Sequence, residues 1–502
     1  MTGQQLKNSI LQMAVQGKLV PQDPNDEPAS VLLERIRKEK EQLIKEGKIK
    51  KNKNDSVIFK GDDNRYYEKV GSQLKDITDE LPFEIPDGWS WTRFTQIVSF
   101  DLGKTPDRHN KKYWDDGKYP WFAISDLQER ATVNSTKEKI SSAALRDKFA
   151  GELIPQGTLL MSFKLTVGKT SILGIDAVHN EAIISIFPII SEHEITRNFL
   201  LNALPVIVLC VKKREAVKGV TLNSSKLAAM FIPLPPLAEQ QRIVSRVDEL
   251  LAQIDIIEQN QADIDTLYEE FKKRTLTLAI QGKLVPQDPN DEPASVLLER
   301  IRAEKKAKLG KKYVDSYIYK GDDNCYYEKV GETVTNISNE IPFDLPENWS
   351  YSRLETMITL LSGRDLEPNQ YNSQRAGIPY ITGASNIEHG SLIINRWTTN
   401  SATISRKGDL LITCKGTVGT MALNNVGDIH IARQIMAINA DGVCLNYIRL
   451  FLESHVRVLQ NKAKSFIPGI SRQDLLKAIM PIPPFNEQLR IVEQYKTIYK
   501  QL

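Results

Sequence analysis

The stretch QGKLVPQDPNDEPASVLLERIR occupies Gln16–Arg37 and recurs unchanged at Gln281–Arg302. The copying extends further, because FKGDDNRYYEKVG at 59–71 returns as YKGDDNCYYEKVG at 319–331. A chain that repeats itself at a period near half its length is read as two copies of one unit. The stretches between, roughly 91–231 and 351–480, have diverged. The sequence therefore indicates a duplicated frame that holds two different inserts.

Length and charge agree with a protein of several domains. The chain has 502 residues, and a single core rarely grows beyond ~250–300 residues. The two inserts each carry a net charge of +5, whereas the frame carries −7, although the whole chain is only +3. Basic inserts on an acidic frame favour a polyanionic partner such as nucleic acid.

The frame is expected to be helical around a long central element. Neither proline nor glycine occurs between Pro236 and Gly282, so a helix of ~60–65 Å is predicted there. Alternating steps of four and three residues predict a coiled-coil seam. Its positions are Ile243, Val247, Leu250, Ile254, Ile257, Gln261, Ile264, Tyr268, Phe271, Thr275 and Leu278.

The two ends of the chain together repeat the same helix. The second copy starts it with Ile491, Tyr495, Ile498 and Leu502, and the missing part matches Leu6–Gly17, with Leu6, Ile10 and Met13 in the seam slots. The sequence thus predicts a circular arrangement of the repeat with an approximate two-fold axis. It also predicts that two long helices pack antiparallel as a spacer.

The inserts are predicted to be mixed α/β. Strands are expected within Ile154–Phe163, Ser405–Cys414, Ile183–Ile190 and Ile435–Asn439, and buried helices over Asn198–Val211 and Leu445–Gln460. The fold class is therefore α/β, with two α/β inserts separated by a long antiparallel coiled coil.

Cysteine and histidine usage argues against a metal site. The four cysteines (Cys210, Cys325, Cys414 and Cys444) form no CxxC pair, which predicts reduced thiols in the cytoplasm. The six histidines are dispersed, so no metal ligand set is expected. His179 and His430 are predicted to occupy equivalent positions and to make a shared structural hydrogen bond. No apolar run is long enough to span a bilayer, and no signal-peptide pattern precedes Ile10.

Several motifs resemble one family. IPLPPLAEQQRIV (Ile232–Val244) and its twin MPIPPFNEQLRIV (Met480–Val492) resemble the signature that follows each target-recognition domain in specificity subunits of type I restriction–modification enzymes. Resemblance extends to the openings IPDGWSWTRF and LPENWSYSRL, to Gly103-Lys104-Thr105-Pro106, and to the blocks GTLLMSFKLTVGKT and GDLLITCKGTVGTM. The second copy departs from the pattern, because it has Gly363-Arg364-Asp365-Leu366 at the matching place.

This resemblance implies a DNA-reading subunit without catalytic chemistry. Each recognition domain would read one half of a split, asymmetric target in double-stranded DNA. The helices would set the gap and dock two methyltransferase subunits, which use S-adenosylmethionine. Restriction subunits, which use ATP and Mg²⁺, would join that core. No cofactor and no metal are expected in this chain.

The same resemblance divides the chain. We expect an N-terminal repeat helix and connector over 1–80, the first recognition domain over 81–235 and the central helix over 236–283. A repeated connector follows over 284–340, then the second recognition domain over 341–483 and a C-terminal coiled-coil helix over 484–502.

Candidate DNA contacts lie in the inserts, where cations and amides of the types that read guanine and adenine edges are grouped with aromatic residues. In the first insert they are Lys104, Arg108, Lys111, Lys112, Tyr113, Trp114, Lys164 and Lys169. In the second they are Arg364, Asn369, Gln370, Gln374, Arg375 and Lys415. For each single residue an exposed side chain with no ligand is the alternative.

Two segments resemble catalytic motifs but lack residues that those motifs require. Pro483-Pro484-Phe485 resembles the motif that holds a target adenine, yet Ile482 precedes it where an Asp or Asn is required. Gly168-Lys169-Thr170 resembles a phosphate loop, but Phe163 stands where a glycine is needed. A hinge and a turn are the expected roles, and a self-sufficient methyltransferase is excluded. The remaining alternative is a duplicated coiled-coil adaptor whose inserts bind proteins.

Overall fold

The identical stretches fold alike in the two halves of the protein. The computed structural model describes residues 2–50, 55–190, 192–214, 223–461 and 469–500. The chain divides into two units, residues 1–262 and 263–502. In each unit a helix leads into a connector, then an insert bounded by two paired strands, and then the start of a second helix.

The first unit and the central helix contain the following elements. The helices are α1 (Gly3–Val15), α2 (Ala29–Lys45), α3 (Phe94–Ile97), α4 (Lys111–Trp114), α5 (Ser142–Phe149), α6 (Ile195–Arg214), α7 (Ser224–Ala228) and α8 (Leu237–Ile280). The strands are β1 (Ser56–Lys60), β2 (Tyr66–Val70), β3 (Gln73–Asp76), β4 (Ser90–Arg93), β5 (Val98–Leu102), β6 (Tyr119–Phe122), β7 (Ala131–Val133), β8 (Glu138–Ile140), β9 (Leu159–Ser162), β10 (Thr170–Leu173), β11 (Val178–His179), β12 (Ile183–Pro188) and β13 (Phe231–Leu234).

The second unit repeats this order with local differences. Its further helices are α9 (Ala294–Leu309), α10 (Leu354–Met357), α11 (Leu445–Asn461), α12 (Arg472–Leu476) and α13 (Phe485–Lys500). Its strands are β14 (Ser316–Lys320), β15 (Tyr326–Val330), β16 (Thr333–Asn336), β17 (Ser350–Arg353), β18 (Ile358–Ser362), β19 (Ile378–Ile381), β20 (Ile387–Glu388), β21 (Ser391–Leu392), β22 (Trp397–Thr398), β23 (Ile404–Ser405), β24 (Leu410–Thr413), β25 (Met421–Leu423), β26 (Ile429–Ile431), β27 (Ile435–Ala440) and β28 (Ile479–Ile482). Short 3-10 turns occur at Thr78–Glu80, Ile124–Asp126, Glu192–Glu194, Gly310–Lys312, Ser338–Glu340, Pro368–Gln370 and Ala384–Asn386.

Each insert is built on two sheets and a buried helix. In the first unit the sheets have the orders β5-β12-β9-β10-β7 and β11-β6-β8. In the second they have the orders β18-β27-β24-β25 and β22-β19-β26-β23. The helices α6 and α11 supply Phe199, Leu204, Tyr447 and Phe451 to the respective cores. The strands and buried helices predicted in the inserts are confirmed.

The connector holds a sheet that the helical prediction for the frame did not contain. Strands β1, β2 and β3 form an antiparallel meander, and β14, β15 and β16 repeat it. Asn64 and Asn324 take φ values of 64° and 62° in the first turn, a conformation that asparagine tolerates. The Gly-Asp-Asp-Asn turn followed by Tyr-Tyr is therefore a hairpin signal that the sequence carried.

Within the first unit α1 packs antiparallel to α8. The Lys7 Nζ atom lies 2.6 Å from Asp255 Oδ1 and 2.8 Å from Glu258 Oε2. Gln22, just beyond α1, donates to Glu239 near the start of α8 at 2.7 Å. Since α1 and α8 therefore run in opposite directions, this part of the predicted antiparallel spacer is present in the unit.

Within the second unit α13 packs antiparallel on the last part of α8. The rings of Tyr268 and Tyr499 meet edge to face with centroids 6.0 Å apart. Gln287, which follows α8, donates to Glu487 at the start of α13 at 2.7 Å. The two units thus use one pairing scheme, in which α13 and the end of α8 take the places of α8 and α1.

The predicted seam is buried only in part. Ile243, Val247 and Ile254 are buried, whereas Ile257 and Ile264 are exposed by 63% and 58%. On the terminal helix the prediction is right for Ile10 and wrong for Leu6 and Met13, whose places are taken by Leu11, Ala14 and Val15. The reason is that α1 also packs on the core around α6, so its buried stripe is wider than a two-helix seam. Leu502 lies outside the described residues.

A buried carboxylate joins the frame to each insert. Glu239 is 1% exposed and accepts hydrogen bonds from Trp89 Nε1 at 2.9 Å and Gln22 Nε2 at 2.7 Å. Glu487 repeats the arrangement with Trp349 at 3.0 Å and Gln287 at 2.7 Å. Burial raises the pKa of both carboxyl groups above the ordinary value, while these hydrogen bonds oppose the rise.

Glu239→Ala should destabilise the first unit, because it leaves the buried Trp89 Nε1 donor without its acceptor, whereas the exposed Gln22 amide keeps its bond to Gly17 O. A buried donor without a partner costs about 1–3 kcal/mol, and the free energy of unfolding should fall by that amount. Urea denaturation followed by tryptophan fluorescence measures this change. Glu487→Ala is the matched variant in the second unit. Glu84→Ala removes an exposed carboxylate and is the control, and equal stabilities of the Glu239 and Glu84 variants would contradict the interpretation.

Candidate nucleic-acid interface

The two groups of candidate residues begin at the same point of the fold. After β5 the Gly103 N–H donates to Ile183 O at 3.3 Å and the Lys104 N–H to His179 O at 2.9 Å. After β18 the Gly363 N–H donates to Ile435 O at 3.0 Å, and Arg364 bonds Ile431 in the same way. The loops 103–115 and 363–377, called here the first and second reading loops, therefore leave their sheets in the same register.

The glycine at the start of each reading loop is required by close backbone approach. A Cβ atom on Gly103 would collide with the carbonyl oxygens of His179 and Asn180, and one on Gly363 with those of Ile431 and Ala432. These oxygens belong to the main chain, so they cannot turn aside to make room for the added methyl group. The glycine of the Gly-Lys-Thr-Pro pattern is thus explained by packing.

The third residue of each reading loop is tied by different chemistry to the turn that follows β11 in the first unit and β26 in the second. In the first loop the Thr105 hydroxyl donates to the Glu181 carboxylate. In the second loop Asp365 takes the place of Thr105 and pairs with Arg433, with 2.7 Å between Oδ2 and Nε. The departure of the second copy from the Gly-Lys-Thr-Pro pattern is therefore matched by a change in the facing residue.

The first reading loop is held by a cation that lies against two indole rings, which themselves meet edge to face. The Arg108 guanidinium lies 4.1 Å from the ring centroid of Trp114 and 4.6 Å from that of Trp121, and it pairs with Glu138 at 3.0 Å through Nη2. The Trp114 Nε1 atom donates to Asp107 O at 3.0 Å. These contacts occupy the Arg108 side chain, so the structure gives it a role in shaping the loop, and its contact with DNA stays a prediction.

The lysines of the first reading loop reach the surface beside this stack. Lys104, Lys111 and Lys112 are exposed, and Tyr113 is half-buried. The Lys104 Nζ atom donates to Lys148 O at 2.8 Å, and the Lys112 Nζ atom lies 3.4 Å from Asp147. The structure therefore brings six candidates, Lys104 to Trp114, onto one loop.

The second reading loop presents amides and arginines without such a stack. Arg364, Asn369, Gln374 and Arg375 are exposed, whereas Gln370 is half-buried and its side chain accepts the Glu367 N–H at 2.9 Å. Arg375 has a φ of 63°, and its guanidinium lies 5.7 Å from the Trp397 ring centroid. Five candidates thus share this loop.

The remaining three candidates lie on a different pair of loops. Lys164 and Lys169 are half-buried in the turn between β9 and β10, where Gly168 packs near Val208 of α6. Lys415 is exposed at the matching place between β24 and β25, and its backbone forms a bridge with Gly469. The structure does not group these residues within the reading loops.

The two histidines are not equivalent, and that prediction is wrong. His179 pairs with Phe122, whereas His430 pairs with Tyr380, one position earlier in the matching strands. Because successive strand residues face opposite sides, the two rings point in different directions. His179 Nδ1 lies 3.1 Å from Asn180 O, and burial lowers its pKa to about 4.

The incomplete catalytic motifs have the structural roles expected of them. Pro483 and Pro484 precede α13, and their carbonyl groups accept from Gln488 at 2.9 and 3.0 Å, as those of Pro235 and Pro236 accept from Gln240. Lys169 is followed by strand β10 rather than by the helix that a phosphate loop requires. Over the described residues, no cluster of His, Cys, Asp or Glu could hold a metal ion.

The structure also shows supporting residues that sequence reasoning missed. Trp121 and Glu138 frame Arg108, and Arg433 and Glu181 face the reading loops. The only sequence signal for them was charge or aromaticity near a strand end, which does not reveal which strands become neighbours. Among the helices that the structure describes, none is both long and apolar enough to cross a membrane.

Comparison with known proteins agrees with this architecture. A family model described as "Type I restriction modification DNA specificity domain" matches residues 86–266 and 346–502. The chain belongs to this family. The matched regions cover both inserts and the helices that follow them, and the mixed α/β class with two such domains and a long helix between them is confirmed.

Individual relatives extend over nearly the whole chain. It is 27% identical to the type I restriction enzyme EcoAI specificity subunit of Escherichia coli, over 97% of this chain and 87% of that protein. It is 28% identical to the EcoEI specificity subunit, also of Escherichia coli, over 99% of this chain and 89% of that protein. A chain in the solved structure "Structural basis underlying complex assembly and conformational transition of the type I R-M system" aligns with a TM-score of 0.57 at 18% identity. That alignment covers 84% of this chain and 92% of the other, and it supports the fold alone.

Gly103→Ala should destabilise the first recognition domain, because the new methyl group collides with main-chain atoms. Overpacking of this kind typically costs about 1–3 kcal/mol, measurable by urea denaturation. Gly363→Ala should do the same in the second domain. Gly88→Ala is the control, since its nearest neighbour would be Pro236 Cγ at 3.6 Å. A Gly103 variant as stable as the Gly88 variant would show that the close approach is not limiting.

Proposed function

We propose that this chain reads a double-stranded DNA target in two parts, one with each reading loop and its surrounding domain. As a type I restriction–modification specificity subunit, the chain recognises DNA and leaves the chemistry to other subunits. One observation supports the two-part reading: two loops of different sequence begin at the same point of the fold in the two units. One frame that presents Lys-Tyr-Trp at one site and Asn-Gln-Arg at the other suits two different half-sites.

The chemistry of the loops suits this role. Exposed lysines beside aromatic rings serve contacts with phosphate and sugar, which position a protein on the duplex. Exposed Arg, Asn and Gln serve the bidentate reading of guanine and adenine edges. We assign Lys104, Lys111 and Lys112 to the first kind of contact, and Arg364, Asn369 and Arg375 to the second.

The domain boundaries of the proposal follow the paired strands at the base of each insert. β4 pairs with β13, and β17 with β28, so each insert leaves and re-enters the frame at neighbouring residues. We place the recognition domains at 81–235 and 341–483, the connectors at 1–80 and 284–340, and the helices at 236–283 and 484–502.

The central helix has a face suited to docking. Between residues 256 and 271 of α8 the side chains of Ile256, Ile257, Ile264, Leu267, Tyr268 and Phe271 are exposed. An apolar face of this kind on a soluble protein marks an interaction surface. We assign it to methyltransferase subunits, two per complex, with restriction subunits joining that core. At 1.5 Å per residue the 44 residues of α8 span about 66 Å, which suits a spacer between two half-sites.

Family membership implies no cofactor for this chain. In the proposed complex S-adenosylmethionine binds to the methyltransferase subunits, and ATP and Mg²⁺ bind to the restriction subunits. The complex acts in the cytoplasm, where the thiols of the four cysteines stay reduced. The comparisons do not favour the alternative of a protein-binding adaptor.

Exchange of one insert tests independent reading of the half-sites. Replacing residues 91–231 with the corresponding insert of a relative should change one half of the target and leave the other half unchanged. The readout is the adenine methylation pattern that the complex with its methyltransferase subunits leaves on DNA. The reciprocal exchange of residues 351–480 is the matched control and should change the other half. A change in both halves from a single exchange would refute independent reading.

A further inference from the structure

The backbone carbonyl of the second residue in each reading loop is held by a side chain, and the two side chains differ. In the first loop the Trp121 Nε1 atom donates to Lys104 O at 3.0 Å. In the second loop the corresponding carbonyl, Arg364 O, lies 2.8 Å from His430 Nε2. Trp121 is 1% exposed and His430 is fully buried. Unlike residues on β6 and β26 therefore fix the same point at which the loops leave their sheets.

The hydrogen bonds of His430 define its tautomer. Its Nδ1 atom accepts the N–H groups of Ala402 and Thr403 at 3.2 and 3.3 Å. Since Nδ1 accepts, the proton of the neutral ring resides on Nε2, which donates to Arg364 O. A second proton would have to sit on Nδ1, where it would face two N–H donors. The neutral ring thus links the segment Ala402–Thr403 to the second reading loop. A charged ring would keep its Nε2–H bond to Arg364 O but would lose both bonds from Ala402 and Thr403, so the link would be broken.

The surroundings of His430 also disfavour its charged form. Burial lowers the pKa of His430 below its ordinary value, although the bond to Arg364 O opposes the shift. Tyr380 of β19 contacts the ring, with centroids 5.2 Å apart. Other ionisable groups on the elements packed against it lie in the loop, on either side of β26 and after β23: Arg364, Asp365, Glu367, Tyr371, Arg375, Asp428, Arg433, Arg406, Lys407 and Asp409. Asp365 is paired with Arg433, and Asp409 accepts from Ser405 and Arg406.

We propose that His430 is the positioning residue of the second reading loop, and that its protonation breaks the link between this loop and Ala402–Thr403, so that the loop is no longer held in place and reading of the second half-site weakens in acid. The first loop lacks this sensitivity at its matching carbonyl, because the indole of Trp121 does not titrate. The inference rests on the proposed function, since it supposes that the second loop reads DNA. The loop is held in place only while His430 is neutral. The contribution of His430 to reading of the second half-site is therefore complete near neutral pH and is lost as the pH falls below about 6.5.

The test measures discrimination by the complex of the full chain with its methyltransferase subunits. The quantity is the ratio of the Kd for DNA with a scrambled second half-site to that for the intact target, the target being known from methylation mapping. Because both duplexes have the same phosphates, non-specific attraction cancels in the ratio. The ratio is measured by fluorescence anisotropy from pH 7.5 to pH 5.0, and circular dichroism establishes that the complex stays folded.

Three variants separate positioning from mere stability. His430→Phe removes all three hydrogen bonds of the ring and should lower the second-half ratio at pH 7.5 on the order of tenfold, the loss expected for one bidentate base contact. His430→Gln keeps a donor for Arg364 O but cannot gain a proton, so it should keep the ratio at pH 7.5 and lose the dependence on pH. Trp121→Phe is the matched control and should lower the first-half ratio only.

Each of three results would overturn the inference. They are an unchanged second-half ratio in folded His430→Phe, a wild-type ratio that is constant down to pH 5.0, and a His430→Gln variant that follows the wild-type pH profile. Failure of the proposed function looks different: scrambling either half would then leave the affinity of the wild-type complex unchanged at every pH.

Discussion

In each unit a buried carboxylate at the start of a helix ties the frame to the insert. Glu239 and Glu487 are shielded from water, and a buried polar group is tolerated only when its hydrogen bonds are made. Each takes one donor from the connector and one from the tryptophan that opens the insert. Three distant stretches of chain are thereby fixed at one point in each unit.

This constraint explains why the inserts are free to differ while the frame is not. Arg242 and Arg490, one turn further along the helices, pair with Asp26 and Asp291 of the repeated stretch, with Nη2 to Oδ2 distances of 2.5 and 2.6 Å. These contacts involve the identical segments and the hinge, and none of their partners lies inside a reading loop. Substitutions within the loops therefore leave the junction intact, which is the property that a subunit with exchangeable specificity requires.

Much of the fold was predictable because the repeat and the helical spacing are local signals. The long helix, the buried insert helices and the core strands were predicted from their patterns and are confirmed. The predicted seam was too long, because the heptad spacing that includes Ile257 and Ile264 does not show where the partner helix ends. In the described residues α1 and α13 have only 13 and 16 residues, so within each unit they cover the ends of α8 and leave its middle exposed.

The candidate site was predictable at the level of loops and less so for single residues. Eleven of the candidates were chosen for their residue types, and they lie on two loops that begin at matching positions in the structure. It could not show that Arg108 is enclosed by Trp114 and Trp121, because Trp121 comes from a strand that becomes a neighbour only on folding. The register of His179 and His430 was misassigned for a similar reason: strand pairing, which decides which face a residue occupies, is a long-range property.

The most direct test of the central claim, that one frame holds two independent readers at a fixed spacing, is to lengthen α8. Inserting one heptad after Gln261 keeps the helical repeat and adds about 10 Å, or ~3 base pairs. Mapping of the adenines methylated by the variant complex should show both half-sites unchanged in sequence and the gap between them longer. A folded variant that keeps the original gap, or that reads altered half-sites, would contradict this account.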